Sequence, residues 1–232
     1  MFFFVADPTA RGTVKVQRGE VTGRVRLTVP TAAVPLVLVH VLPKFAERHP
    51  KIQVEVHVEN RFVDAVAEGF DAGIRLIEAI DRDMVHVRLT GAMRVVVTAA
   101  PSYLNRRGIP HKPEELLQHD CLCMRWTPSG EPWAWEFERG KKTWRVPVRG
   151  PVMTNNSELM RTLAVAGVGL CYALEPFIAD ELTRGELRVV LEQYAPEVPG
   201  LFLYYPSRAQ VSPALKALVE VTRETMSTTV RS

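Results

Sequence analysis

Arg75 closes the stretch Gly69-Phe70-Asp71-Ala72-Gly73-Ile74-Arg75. A helical stretch over Phe62–Glu68 runs into Gly69, where a residue without a Cβ suits a left-handed C-cap. The residues that follow read as a short strand with Arg75 at its far end. Ligands of open α/β sheets collect outside the carboxyl ends of strands. A guanidinium there holds a carboxylate with two parallel hydrogen bonds. The same side chain on a plain surface pairs with a neighbouring acid for little gain. Both readings fit the stretch.

Other reactive residue types give weaker patterns. Cys121, Cys123 and Cys171 are an odd, low count, which suits a reducing compartment better than a disulfide scaffold. Cys121-x-Cys123 beside His119 lacks the spacing of a zinc knuckle and has no second pair, so no metal is expected. The other histidines, His40, His49, His57, His86 and His111, are scattered. There is no Gly-x-Ser-x-Gly, phosphate loop or His-Glu-x-x-His. Gly167-Val168-Gly169 lacks the third glycine of a dinucleotide fingerprint. Neither a catalytic residue nor a cofactor is assigned.

The elements that must position these groups follow from an ordinary globular composition, 47% hydrophobic and 24% charged over 232 residues. Net charge is +3 with acids and bases interleaved, which argues against a nucleic-acid surface. The longest apolar run, Ala32–Val39, is far short of the ~20 residues of a membrane span. Met1–Ala6 lacks the basic leader and full apolar core of a signal peptide. A cytoplasmic protein is expected.

Arg24–Val29 alternates as a strand, and Pro30-Thr31-Ala32 turns into a helix over about Val34–Arg48, with Pro43 kinking it. Ile52–Val58 alternates again, and Asn60 caps a helix starting near Arg61. With the strand ending at Arg75, the order β-α-β-α-β predicts a parallel sheet with helical crossovers. Met93–Thr98, Asp120–Trp126, Pro151–Thr154, Leu170–Leu174, Leu187–Leu191 and Leu201–Tyr205 read as further strands. Trp133–Glu138 and Thr143–Val148 form a hairpin. Asn155-Asn156-Ser157 offers capping groups to a helix over Glu158–Ala166. Pro176–Thr183 and Val211–Ser227 are helical.

Several short motifs then fall in a familiar order. They are Gly23–Pro30, Leu42-Pro43-Lys44-Phe45, His49-Pro50, Gly69–Arg75, Asp83-Met84-Val85, Pro101-Ser102-Tyr103-Leu104 and Gly108-Ile109-Pro110. His119-Asp120-Cys121, Ala166-Gly167-Val168-Gly169-Leu170, Gly185-Glu186-Leu187 and Leu203–Arg208 complete the series. From Gly23 to about Arg223 the chain resembles the effector-binding domain of LysR-type transcriptional regulators. The resemblance implies an α/β fold of two Rossmann-like subdomains, periplasmic-binding-protein-like (type 2), with a cleft between them. Residues 24–98 plus 200–226 would form subdomain I and 99–199 subdomain II, with crossings near Val97–Ala100 and Pro199–Leu201. Residues 1–23 would be a tail or linker remnant. The family reaches DNA through an N-terminal winged helix-turn-helix that this sequence does not contain.

The resemblance also implies a small-molecule effector in the cleft. Thr31 and Ala32 would begin the first helix, whose N-terminus favours an anion, unless Thr31 only caps it. Arg75 would line the pocket. Arg125, Trp126 and Thr127 would follow a strand on the other side, Trp126 alternatively being core. Asn155, Asn156 and Ser157 would offer donors opposite Thr31, with Arg75 between the two helix starts, and Val168 would pack beside the cleft. This set favours an organic anion. Glu175 departs from the family's usual residue there. Two other functions compete: a solute-binding protein of a transporter, which needs an export signal, and an enzyme, for which only Asp71 and Glu175 offer a base. A homodimer or higher homo-oligomer is expected through the Ile52–Val58 strand and the apolar residues Phe62, Val63 and Val66. No membrane association is expected.

Overall fold

The structure, a computed structural model, describes residues 21–61, 64–65, 67–80, 83–125, 132–207 and 211–229. Phe62, Val63, Val66, Trp126 and Thr127 lie outside the described residues. Strand β1 (Gly23–Val29) buries Val25, Leu27 and Val29. A wide helical turn over Val34–Leu38, in which the Val39 N–H reaches back to the Val34 carbonyl, leads into α1 (Val39–Arg48). Pro43 stays inside α1, where its missing N–H withdraws the intrahelical donor from the Val39 carbonyl.

Strand β2 (Ile52–Val58) pairs parallel with β1 in one register, from Gly23↔Ile52 to Val29↔Val58. The helix expected next does not form among the described residues. A single turn takes its place: Glu68 N–H donates to the Asp64 carbonyl (3.0 Å) and Phe70 N–H to the Ala65 carbonyl (2.8 Å). Gly69, at φ +72°, is the left-handed residue that closes it, so the glycine signal holds although the helix before it is only a turn.

The remaining elements are β3 (Ala72–Leu76), β4 (Met84–Arg88), β5 (Met93–Ala99), α2 (Pro101–Arg107), β6 (Leu122–Met124), β7 (Trp135–Arg139) and β8 (Lys142–Val146). Then come β9 (Val152–Thr154), α3 (Ser157–Val165), β10 (Cys171–Leu174), α4 (Ala179–Thr183), β11 (Arg188–Val190), β12 (Glu197–Val198), β13 (Leu201–Pro206) and α5 (Pro213–Thr229). The first sheet runs β2-β1-β3-β13-β4. Its first three strands are parallel, but β13 is antiparallel to both β3 and β4. Helices α1 and α5 pack together, and both contribute to the core that buries this sheet. No helix of the described residues is long and apolar enough to cross a membrane.

The second sheet pairs β5 antiparallel with β10, β11 and β12. Beside it, β6 lies parallel to β9 and, through a Cys121↔Leu170 bridge, parallel to the start of β10. The β7–β8 hairpin folds back on this half as expected, with Trp135 and Phe137 buried.

The chain therefore passes from the first sheet to the second between Leu89 and Met93, ahead of the expected crossing at 97–100. Residues 93–98, expected in the first subdomain, hydrogen-bond in the second. Their β-branched run marks a strand but carries no information about which sheet receives it. The chain returns to the first sheet between Val198 and Leu201. The two crossings touch: Leu89 N–H donates to the Leu201 carbonyl (2.8 Å), and Leu201 N–H to Thr90 Oγ1 (2.9 Å). Gly200 sits at φ +104°, where a Cβ would lie 2.2 Å from the Gly91 carbonyl oxygen.

Candidate functional site

Hydrogen bonds of Asn60 bring the carboxyl ends of β1 and β2 beside the segment that follows β9. Such ends expose backbone groups that no further strand pairing satisfies, and for that reason ligands collect there.

Asn60 occupies the mouth of the cleft between the two halves. Because β1 and β2 are paired Val29↔Val58, Thr31 and Asn60 both stand two residues beyond the paired ends. Thr31 N–H donates to Asn60 Oδ1 (2.9 Å), and Asn60 Nδ2 donates back to Thr31 Oγ1 (3.1 Å). The same Nδ2 crosses to the second half, reaching the Asn155 carbonyl (2.9 Å) and Ser157 Oγ (3.3 Å). Thr31 and the Asn155–Ser157 corner are thus linked through Asn60.

Arg75 is not between them. Its side chain lies beneath the cleft, in a residue only 6% exposed. Nη1 donates to the Ile74 carbonyl (2.7 Å), and Nη2 to Thr28 Oγ1 (3.0 Å) and the Glu59 carbonyl (3.1 Å), with Arg61 O at 3.5 Å. Burial lowers its pKa, the Tyr204 and Glu59 side chains partly offsetting this. Arg75 therefore fixes the backbone on both sides of Asn60. The alternative of a surface guanidinium is corrected: the side chain is buried, and its acceptors here are backbone carbonyls and Thr28 Oγ1. Strand β3 is buried between two neighbours, so Arg75 finds its acceptors inside the sheet.

Arg125 is the exposed cation of the site. Its N–H bonds to the Thr154 carbonyl (2.9 Å), which sets it beside Asn155 at the carboxyl end of β6. Asn156 caps α3 by accepting from the Leu159 N–H (3.0 Å), so its side chain serves the helix. Ala32 is buried in the turn behind Thr31. Val168 lies past the other end of α3, about 13 Å from Ser157 for a helix of that length, and packs into the core of the second half. It is not brought to this site.

The two carboxylates considered as bases are both engaged. Arg94 grips Glu175 with Nε to Oε2 (2.8 Å) and Nη2 to Oε1 (2.5 Å), which holds its pKa below the usual carboxylate value. Asp71 Oδ2 accepts from the Arg26 N–H (2.8 Å) at the amino end of β3, the end remote from the cleft. Among the described residues no group of three or more His, Cys, Asp or Glu is placed to hold a metal ion. The three cysteines are free and buried, and desolvation pushes the Cys171 thiol up to about 12.

Asn60 was read as a helix cap from sequence, and its role in the cleft was missed. The signal was present in two adjacent alternating runs, whose parallel pairing puts the residues just past their ends side by side.

Known proteins share this fold. The family model described as the LysR substrate binding domain matches residues 18–227. A putative transcriptional regulator of Pseudomonas aeruginosa is 36% identical over 208 residues, 90% of this chain and 68% of that protein. The uncharacterised HTH-type transcriptional regulator YcaN of Escherichia coli is 33% identical, over 86% of this chain and 65% of its own length. This chain thus spans about two thirds of the length of these relatives. The regulatory domain of CrgA from Neisseria meningitidis, a LysR-type regulator, superposes with a TM-score of 0.72 over 88% of this chain and 99% of that domain, at 22% identity. Full-length CrgA gives 0.74 over 88% of this chain and 69% of its own, at 21% identity. With a family model matched over nearly all its length and a relative 36% identical, this chain belongs to the LysR substrate-binding domain family.

Proposed function

We propose that the chain senses a small organic anion in the cleft at Thr31, Asn60, Arg125 and Asn155–Ser157, as the regulatory part of a cytoplasmic transcription regulator. One observation supports this reading: the Asn60 side chain, just past β2, bonds both Thr31, just past β1, and the Asn155–Ser157 corner that follows β9. Arg125 supplies the exposed positive charge, and Thr31 and Ser157 supply neutral polar contacts. A cleft bounded by two separately folded halves couples binding to their relative position, because a ligand touching both favours the closed arrangement. DNA contact belongs to a different domain of such a regulator. The halves divide along the sheets, near Leu89–Met93 and Val198–Leu201. Strand β2 is the free edge of the first sheet, with Val58 exposed, and supports a homodimer through that edge.

A solute-binding protein of a transporter fits the fold but has no observation in its favour. An enzyme needs an available base, and Asp71 and Glu175 are both engaged. A thermal-shift screen of small organic acids tests the proposal. At least one acid is expected to raise the melting temperature, and Arg125→Ala to abolish that rise while keeping the ligand-free melting temperature. Stabilisation that survives Arg125→Ala unchanged would remove the anion from the reading.

A further inference from the structure

We infer that Asn60 is a built-in stand-in for the ligand: its carboxamide latches the two halves together, and the group that displaces it must both donate and accept a hydrogen bond. This deepens the proposed function and rests on the cleft being the ligand site.

The orientation of the carboxamide is fixed by its neighbours. A backbone N–H only donates and a backbone carbonyl only accepts, so Thr31 N–H demands Oδ1 and the Asn155 carbonyl demands Nδ2. Thr31 Oγ1 and Ser157 Oγ share the remaining amide proton. Four protein groups from both halves thus converge on one primary amide. The segment that carries it is held from below, where Glu59 N–H donates to the Val29 carbonyl (2.8 Å) and Arg75 holds the Glu59 carbonyl. The carboxamide is therefore presented to the second half from a fixed stem.

The consequence for ligand chemistry is specific. A carboxylate in this place satisfies Thr31 N–H but sets a negative oxygen against the Asn155 carbonyl, with no proton between them. A primary amide satisfies both. The ligand end that enters this subsite is thus a carboxamide or a group of the same donor–acceptor pattern, while an anionic end meets Arg125. Opening the cleft breaks the bonds to Asn155 and Ser157 but leaves those to Thr31, which lies in the same half as Asn60.

Spin labels test this directly. The three native cysteines are buried, so Glu78→Cys and Thr162→Cys, both exposed and in opposite halves, take labels selectively. The parent is expected to show one narrow distance distribution. Asn60→Ala removes the latch and is expected to broaden it towards longer distances. Asn60→Asp keeps an acceptor for Thr31 but no donor for Asn155, and is expected to do the same. Acetamide added to Asn60→Ala should restore the narrow distribution at a concentration about tenfold below any at which acetate does, the scale of one hydrogen-bond donor. Distributions in both variants that match the parent would overturn the latch. Equal restoration by acetate, or none by acetamide, would overturn the donor–acceptor assignment. These readouts need no effector, so a failed acid screen leaves them standing, and a failed latch leaves the screen standing.

Discussion

The two halves meet at places made of opposite chemistry. At the crossings the contact is mostly main chain on main chain, Leu89 against Leu201 and Gly200 pressed on Gly91, with the Thr90 hydroxyl accepting from the Leu201 N–H. At the cleft mouth it is one half-buried side chain reaching a carbonyl and a hydroxyl. The first junction has no room to adjust, because Gly200 accepts no Cβ. The second is made of bonds that water can replace, each worth about 1 kcal/mol net. A fixed pivot and a weak clasp are what a domain needs if a small ligand is to set its opening.

The largest effect is expected at the pivot. Gly200→Ala places a methyl 2.2 Å from a carbonyl oxygen at a φ of +104°. Loss of about 3 kcal/mol or more is expected in urea denaturation. A loss below about 1 kcal/mol would show that the crossings yield and that the contrast with the clasp is false.

Arg75→Ala comes next. It strips donors from the carbonyls of Ile74 and Glu59 and from Thr28 Oγ1, inside a strand with no water at hand. Destabilisation of about 2–3 kcal/mol is expected, with Arg75→Lys recovering only part, because an ammonium cannot span the same acceptors. Full stability in Arg75→Ala would return the residue to the surface role read from sequence.

Asn60→Ala is expected to cost under about 1 kcal/mol in the same assay, since its partners rehydrate when the cleft opens. A loss as large as that of Arg75→Ala would make Asn60 a structural residue and not a clasp.

The smallest effect is the pH-dependent one. Glu175 has its pKa lowered by Arg94, so its contribution is complete above the unfolded value near 4.5 and is lost as pH falls through the folded value. The pair is about one-third exposed, which limits it to a few tenths of a kcal/mol after screening. Arg94→Gln should differ from the parent by that amount at neutral pH and converge with it in acid. A gap that widens in acid would mean that Glu175 is not the group responsible.

The strands of the first half were legible because each has one wet face, as in Arg24–Val29 and Ile52–Val58. The valine-rich segment at Met93–Thr98 showed a strand but not its sheet, because sheet membership depends on distant partners such as Tyr172 and Val189. The turn at 64–70 was overread as a helix because Gly69 signals the end of either. Within the site, the N-terminus at Asn156 was readable from its capping residue, whereas Thr31 caps no helix and its hydroxyl accepts from Asn60. The acceptors of Arg75 were not legible because a strand-end arginine looks the same in sequence whether it bonds backbone carbonyls or a ligand. Asn60 needed the register of β1 on β2, which is a tertiary fact.

The central claim is that ligand binds between the halves at the strand ends. A second concavity competes with it, about 420 Å³ between β13 and α5, lined by residues including Tyr205, Lys216 and Arg223. Hydrogen–deuterium exchange with the acid that most raises the melting temperature separates the two. The account predicts slowed exchange at residues 28–33, 59–61 and 154–158, with α5 unchanged. Protection confined to β13 and α5, with the Thr31 amide exchanging as before, would contradict it.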